Sequence, residues 1–164
     1  PGCGDPIRGL DVTANGEWIV ATCDTYLLAV PTHNINDNSK NGFNSRLGAY
    51  KPTPRRLQLL PQDRNLIGKN IKFTPARFNS GADGEIWIVT STGPYLISWN
   101  FRKVKQNQLC DYSIKRMSDN ISAEQFLAVS QNVNGADAPI IVVLDDDVCL
   151  ERRHQVSYNP FRAR

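Results

Sequence analysis

Few side chains in this 164-residue sequence combine the types and spacing that chemistry needs. Four cysteines (Cys3, Cys23, Cys110, Cys149) lie far apart with no Cys-x-x-Cys pair, and neither His33 nor His154 is near one of them in sequence. Zinc takes converging nitrogen or sulfur ligands, usually from closely spaced pairs, so no zinc site is expected; the same spacing argues against a dense disulfide framework. Asp145-Asp146-Asp147 offers carboxylates to a divalent cation. Calcium needs about 6–8 converging oxygens, whereas three consecutive residues of a tight turn diverge, so a plain turn is expected there. A nucleophile–histidine site would have to recruit His33 from a long loop or His154 from the tail, and neither stands in a motif such as Gly-x-Ser-x-Gly. No glycine-rich phosphate loop opens a helix. The residues therefore imply a non-enzyme, with no metal and no cofactor.

What remains is charge. The net +3 conceals a segregation: residues 40–77 hold nine Lys or Arg against Asp63 alone, a net +8, whereas residues 117–150 hold six acids and no base. A second basic segment, residues 102–116, carries +4. The densest basic stretch is Lys51, Arg55 and Arg56, with Arg46 and Arg64 nearby, in a proline-bounded loop. A cationic loop on a rigid scaffold can recruit acidic peptides, phospholipid headgroups or RNA; the bland alternative is a solvated loop that balances the acidic surfaces. No aromatic residue interleaves these arginines, so recognition of single strands by base stacking is not indicated. Lys51, Arg55 and Arg56 are the candidate partner-binding residues.

The elements that must position these groups are strands. Residues 84–101 run from one apolar stretch (Ile86 to Val89) through Ser91-Thr92-Gly93-Pro94 into a second (Tyr95 to Phe101). β-Branched and aromatic residues suit a pleated, half-buried surface, and Gly-Pro punctuates the chain between them, which predicts a hairpin. Residues 15–30 repeat the pattern, with Ile19 on Ile88, Val20 on Val89 and Tyr26 on Tyr95; residues 140–150 form a fainter third copy. Self-similar hairpins mark a repeat architecture. The first meander is predicted as 9–14, 18–22, 26–30 and a short edge strand at Leu57 and Leu59, with Asn15-Gly16 as a type I′ turn. The second is 71–78, 86–90, 95–101 and 112–116; the third is 124–129, 140–144 and 148–152, lacking a fourth strand. Only Ser122 to Val129 could pass for a helix, with Ser122 as its cap. Residues 31–53 read as a long irregular loop.

The predicted fold class is all-β: antiparallel four-stranded meanders of a partial, WD-repeat-like β-propeller, about two and three-quarter blades. A small self-contained sandwich or barrel is the alternative. Residues 5–152 are assigned to the C-terminal part of the propeller and 153–164 to a disordered basic tail. Trp18, Trp87 and Trp99, on the strands, are assigned to the core rather than to a ligand site. Cys23 and Cys149, in or beside apolar strands, read as buried reduced thiols, which favours a cytoplasmic protein. No apolar run approaches the ~20 residues of a membrane span. The opening Pro1-Gly2-Cys3 suggests the tail end of a longer protein.

The phrases TANGEWIVATCDTYLL, KPTPRRLQL, FTPARFNSG, VTSTGPYLISWNFRKV and YSIKR, in this order, resemble the C-terminal region of the vacuolar import and degradation protein twenty-seven family. The resemblance runs from about Asp5 to about Arg153. It implies a WD-repeat-like propeller in a cytoplasmic protein and, in fungi, a link to import and degradation of metabolic enzymes in the vacuole. It brings no catalytic residues. The expected function is a propeller scaffold for protein–protein interaction. The alternative is an anionic-surface binder, for RNA or acidic phospholipid, acting through residues 40–77.

Overall fold

The computed structural model of the chain describes residues 4–34, 39–68, 70–79, 84–126 and 139–151. Three antiparallel sheets follow one another along the chain. The first contains β1 (Gly9–Val12), β2 (Trp18–Thr22), β3 (Leu27–Pro31) and β4 (Arg55–Leu57), in that order. The second contains β5 (Arg77–Phe78), β6 (Trp87–Thr92), β7 (Tyr95–Asn100) and β8 (Tyr112–Arg116), again in chain order. The third has three strands, β9 (Ile121–Phe126), β10 (Ile140–Leu144) and β11 (Val148–Glu151). First strands of consecutive sheets are neighbours, β1 beside β5 and β5 beside β9. The sheets therefore fan outward from a shared inner edge as blades of a partial β-propeller, the predicted all-β class.

Strand alternation assigns one face of each blade to each neighbour. Val20, Leu27, Ala29 and Leu57 of the first blade pack with Ile88, Ile97 and Trp99 of the second in one buried cluster. Val89 and Leu96, on the other face of the second blade, pack with Ile121, Ile140, Val142 and Leu144 of the third. The repeat seen in the sequence is thus a repeat of packing. Val20 and Val89 both face the following blade and are both 0% exposed. Trp18 and Trp87, each the first residue of its strand, also pack toward the following blade. All three tryptophans take part in the core, as predicted. Each fully buried Leu, Ile or Val contributes about 1.5–3 kcal/mol, so these two interfaces are what hold the blades together.

Polar contacts fix how the blades dock. The Asp11 carboxylate accepts from the Phe78 amide (2.8 Å) and the Thr22 hydroxyl from the Ala76 amide (2.8 Å). A Cβ on Gly9 would lie 2.6 Å from Cβ of Pro75, so the approach of β1 to the second blade requires glycine there. Between the second and third blades, Glu124 is 9% exposed and accepts from the Ser91 hydroxyl (2.8 Å) and the Thr74 hydroxyl. Burial raises its pKa, against the opposing pull of those hydroxyls and of Arg77.

Several boundaries differ from the prediction. The Asn15-Gly16 connection is not type I′, which needs positive φ at both central residues; only Gly16 has it (+70°). Thr13 N bonds Trp18 O and Gly16 N bonds Thr13 O, so residues 14–17 form a longer loop held by the Asn15 and Thr13 side chains. The Gly93-Pro94 turn is the tight one: Gly93 has φ +53° and Pro94 cannot, as a type II′ turn requires. The strand predicted from residue 71 is reduced to Arg77–Phe78. Before it, Phe73 N turns to Asp24 O in the β2–β3 turn of the first blade while Thr74 N bonds Ser91 O of β6, so this stretch ties the first blade's turn to the second blade's strand. β4 ends at Leu57; Leu59 is buried but outside the strand, because Pro61 at the first helical position starts α1 (Pro61–Ile67). Phe101 leaves β7 for a second unpredicted helix, α2 (Phe101–Lys105). β3 runs one residue later than predicted, and β9 begins at Ile121 rather than residue 124, as a strand and not a helix. Within the predicted loop, Gly48–Tyr50 form a 3-10 turn and Gly42 N bonds Thr32 O. Residues 35–38 of that loop, residues 127–138, and the predicted tail 153–164 lie outside the described residues.

Candidate functional site

Lys51, Arg55 and Arg56 do not converge on one point. Successive side chains of a strand point to opposite faces, so β4 sends Arg55 one way and Arg56 the other. Arg55 opposes Ala29, on the face that meets the second blade; Arg56 opposes Leu28, on the face that does not. The Arg55 guanidinium lies 4.8 Å from the Trp18 ring centroid and donates to the Val104 carbonyl near the end of α2. That carbonyl already accepts from Asn107 N (2.9 Å), so Arg55 is a second, charged donor on its other lone pair, at the C-terminal end of the helix where a cation is favoured. Arg55 thereby joins the blades. Arg56 is exposed and lies 4.0 Å over the Tyr26 ring. Lys51 is exposed, in extended backbone just past the 3-10 turn.

The structure also divides the +8 segment. Residues 40–54 connect β3 to β4 at one end of the first blade. Past β4 the chain carries α1 alongside the second blade, where the Tyr112 hydroxyl accepts from Leu60 N (2.8 Å) and donates to Asp63. Burial and the Asp63 carboxylate push the Tyr112 phenol well above its ordinary value, so it stays a neutral donor. Residues 72–76 then lie at the opposite end, near the Asp24 turn.

A second group of cations, from the basic segment 102–116, stands beside Arg55. In α2, Phe101 and Val104 are buried, whereas Arg102 and Lys105 are exposed and Lys103 is half-buried. Asn100 caps the helix, its side chain accepting from Lys103 N (3.3 Å). The Lys105 ammonium sits 4.8 Å from the Phe101 centroid, and Phe101 meets Trp18 edge to face at 5.5 Å. Arg55 and Lys105 are therefore held over neighbouring rings. The signal for α2 was faint: apolar residues three apart after an Asn, with bases between.

Elsewhere the acidic turn is a turn. Asp145 accepts from the Ser122 hydroxyl (3.0 Å) and Asp147 from Val148 N (2.7 Å), so the carboxylates diverge. Among the described residues no group of three His, Cys, Asp or Glu is placed to hold a metal. Cys23 is a buried free thiol and Cys149 a half-buried one, its pKa raised by desolvation and then by Asp147. No helix among the described residues is long and apolar enough to cross a membrane.

With this geometry the chain can be set against known proteins. A family model described as the VID27 C-terminal WD40-like domain matches residues 1–163. The vacuolar import and degradation protein 27 of Schizosaccharomyces pombe is 41% identical over 159 residues, 92% of this chain and 19% of that protein. Its namesake in Saccharomyces cerevisiae is 32% identical over 167 residues, 93% of this chain and 20% of that protein. The chain thus spans about a fifth of the length of these relatives. No solved structure matches it significantly.

Proposed function

Since this chain belongs to the VID27 family, through its C-terminal WD40-like domain, we propose that it is a non-enzymatic scaffold whose loops engage protein partners. On this reading residues 5–152 are the C-terminal part of a cytoplasmic propeller, and the process served is the vacuolar import and degradation for which the two fungal relatives are named. The observation that carries it is the division of labour within the blades. Strand faces between blades are consumed by packing, and the exposed groups include cations: Lys51 in the β3–β4 connection and Arg56 on the outer strand β4. Exposed charge on loops of a rigid scaffold favours selective, steered association.

The test is affinity capture from lysate with the full-length protein and with a Lys51→Glu, Arg56→Glu variant. Arg55 is left intact because it joins two blades. Proteins that co-purify with the normal form and are lost with the variant support the reading. Loss of RNA or acidic lipid instead would favour the anionic-surface alternative that the charge of residues 40–77 suggests. An unchanged protein set would remove these two residues from the contact face.

A further inference from the structure

Two basic segments far apart in sequence share one end of the propeller. The β3–β4 and β7–β8 connections leave neighbouring blades on the same side, beside the β1–β2 turn. Two contacts between the blades tie this end together: Ala14 N donates to the Glu85 carboxylate (2.6 Å), and Arg55 donates to Val104 O. The first connection brings exposed Lys51, next to Tyr50, which is 56% exposed. The second brings α2, whose solvent side is Arg102, Lys103 and Lys105 and holds no acid. Among the described residues none of these cations pairs with a carboxylate; the ion pairs found there are Arg8–Asp24, Arg77–Asp11 and Lys115–Glu151.

We infer that this end, from Lys51 and Tyr50 across Arg55 to the Arg102, Lys103 and Lys105 side of α2, is a single docking face for an acidic segment of a protein partner, rich in Asp and Glu with interspersed apolar residues. The inference rests on the scaffold reading and gives it a partner chemistry. Cations gathered at one end without an ion-pair partner, where the Glu85 carboxylate is taken up by Ala14 N, call for complementary anions, and an exposed tyrosine beside them calls for an apolar contact. A peptide fits better than the other polyanions. Arg55 and Lys105 are drawn down onto Trp18 and Phe101, which presets their positions for a chain that comes to them. A lipid surface is met by cations that extend away from the protein. Single-stranded nucleic acid stacks on a series of open ring faces; here Trp18 and Phe101 are covered by the protein's own cations, which leaves only Tyr50 and Phe43 of the β3–β4 connection open.

The experiment measures fluorescence anisotropy of a fluorescein-labelled peptide of repeated Asp-Glu-Leu-Glu units with the full-length protein. The comparison protein carries Arg102→Glu, Lys103→Glu and Lys105→Glu, which lie on the solvent side of α2; an unchanged melting curve by circular dichroism checks the fold. A conservative variant, Arg102→Lys with Lys103→Arg and Lys105→Arg, keeps the charge. The expected result is peptide binding that weakens with added salt, falls roughly tenfold or more on charge reversal, and survives the conservative exchange. Unaltered affinity after charge reversal would overturn the inference, as would tighter binding to phosphatidylserine vesicles or single-stranded RNA than to the peptide. If α2 reversal changes nothing while the Lys51 and Arg56 variant still loses its partners, the shared face is wrong and the scaffold reading stands. If neither variant loses anything, both fall.

Discussion

Arg55 and Arg56 are adjacent in sequence and separate in consequence. Arg55 adds a charged donor to the Val104 carbonyl of the next blade while covering Trp18; Arg56 lies on the surface over Tyr26. A hydrogen bond from a charged donor is worth about 1.5–3 kcal/mol, an exposed cation–ring contact about 0.5–1. Arg55→Ala should therefore destabilise the protein by roughly 2 kcal/mol and Arg56→Ala by less than about 1, read from urea melts; equal losses would contradict the assignment. Tyr112 offers a second test at this scale. Its hydroxyl serves Leu60 N and Asp63 together. Tyr112→Phe leaves a part-buried amide without its acceptor, so a loss of about 1–3 kcal/mol is expected. A neutral result would mean that water replaces the phenol.

Among elements, the seam between the second and third blades has its own pH dependence. The Glu124 pKa is raised above its ordinary 4.5 in the folded protein, with desolvation as the main cause. The folded state therefore holds this proton more tightly than the unfolded chain does. The contribution to stability is complete below the unfolded value and is lost as pH rises through the folded one. Glu124→Gln should flatten that part of the stability–pH curve, leaving wild type relatively weaker on the alkaline side; parallel curves would show that Glu124 does not titrate across this range. How much of this was legible varies by element. The 84–101 hairpin was plain because β-branched runs flank Gly-Pro. Helix α1 was hidden because none of its residues is buried, so it carries no apolar stripe to detect. Helix α2 is five residues long, too short to display a period. The seam itself left no local trace, since Glu124 meets Thr74 and Ser91 only through tertiary contact. The candidate site was half legible: composition marked the basic loop, but Arg55 finds its acceptor 49 residues away.

At the scale of the whole molecule, two sheet faces end the arc. On the first blade Leu10 and Val12 are exposed (58% and 42%), and Ile19, Leu28 and Val30 on the same face are half-buried. Their equivalents in the second blade, Ile88, Ile97 and Trp99, are 0% exposed because the first blade covers them. On the third blade Val148 and Leu150 are exposed (64% and 51%), beside half-buried Ile141 and Val143. Residues 1–164 expressed alone should therefore self-associate through these faces, and Leu10→Lys with Leu150→Lys should suppress it. Sedimentation velocity would show this, and a monodisperse, cooperatively melting monomer would favour the self-contained sandwich.

The faces also have a direction. Each blade presents one surface forward, with Trp18 or Trp87, and receives its predecessor on a different one, with Ile88, Ile97 and Trp99. A surface that fits only its successor is not complementary to itself, so two copies cannot be related through it by a twofold axis. Contacts of this head-to-tail kind close only as rings and otherwise propagate as filaments. Copies of this arc joined through their ends would form an open-ended series of assemblies, with no preference for the symmetric dimer.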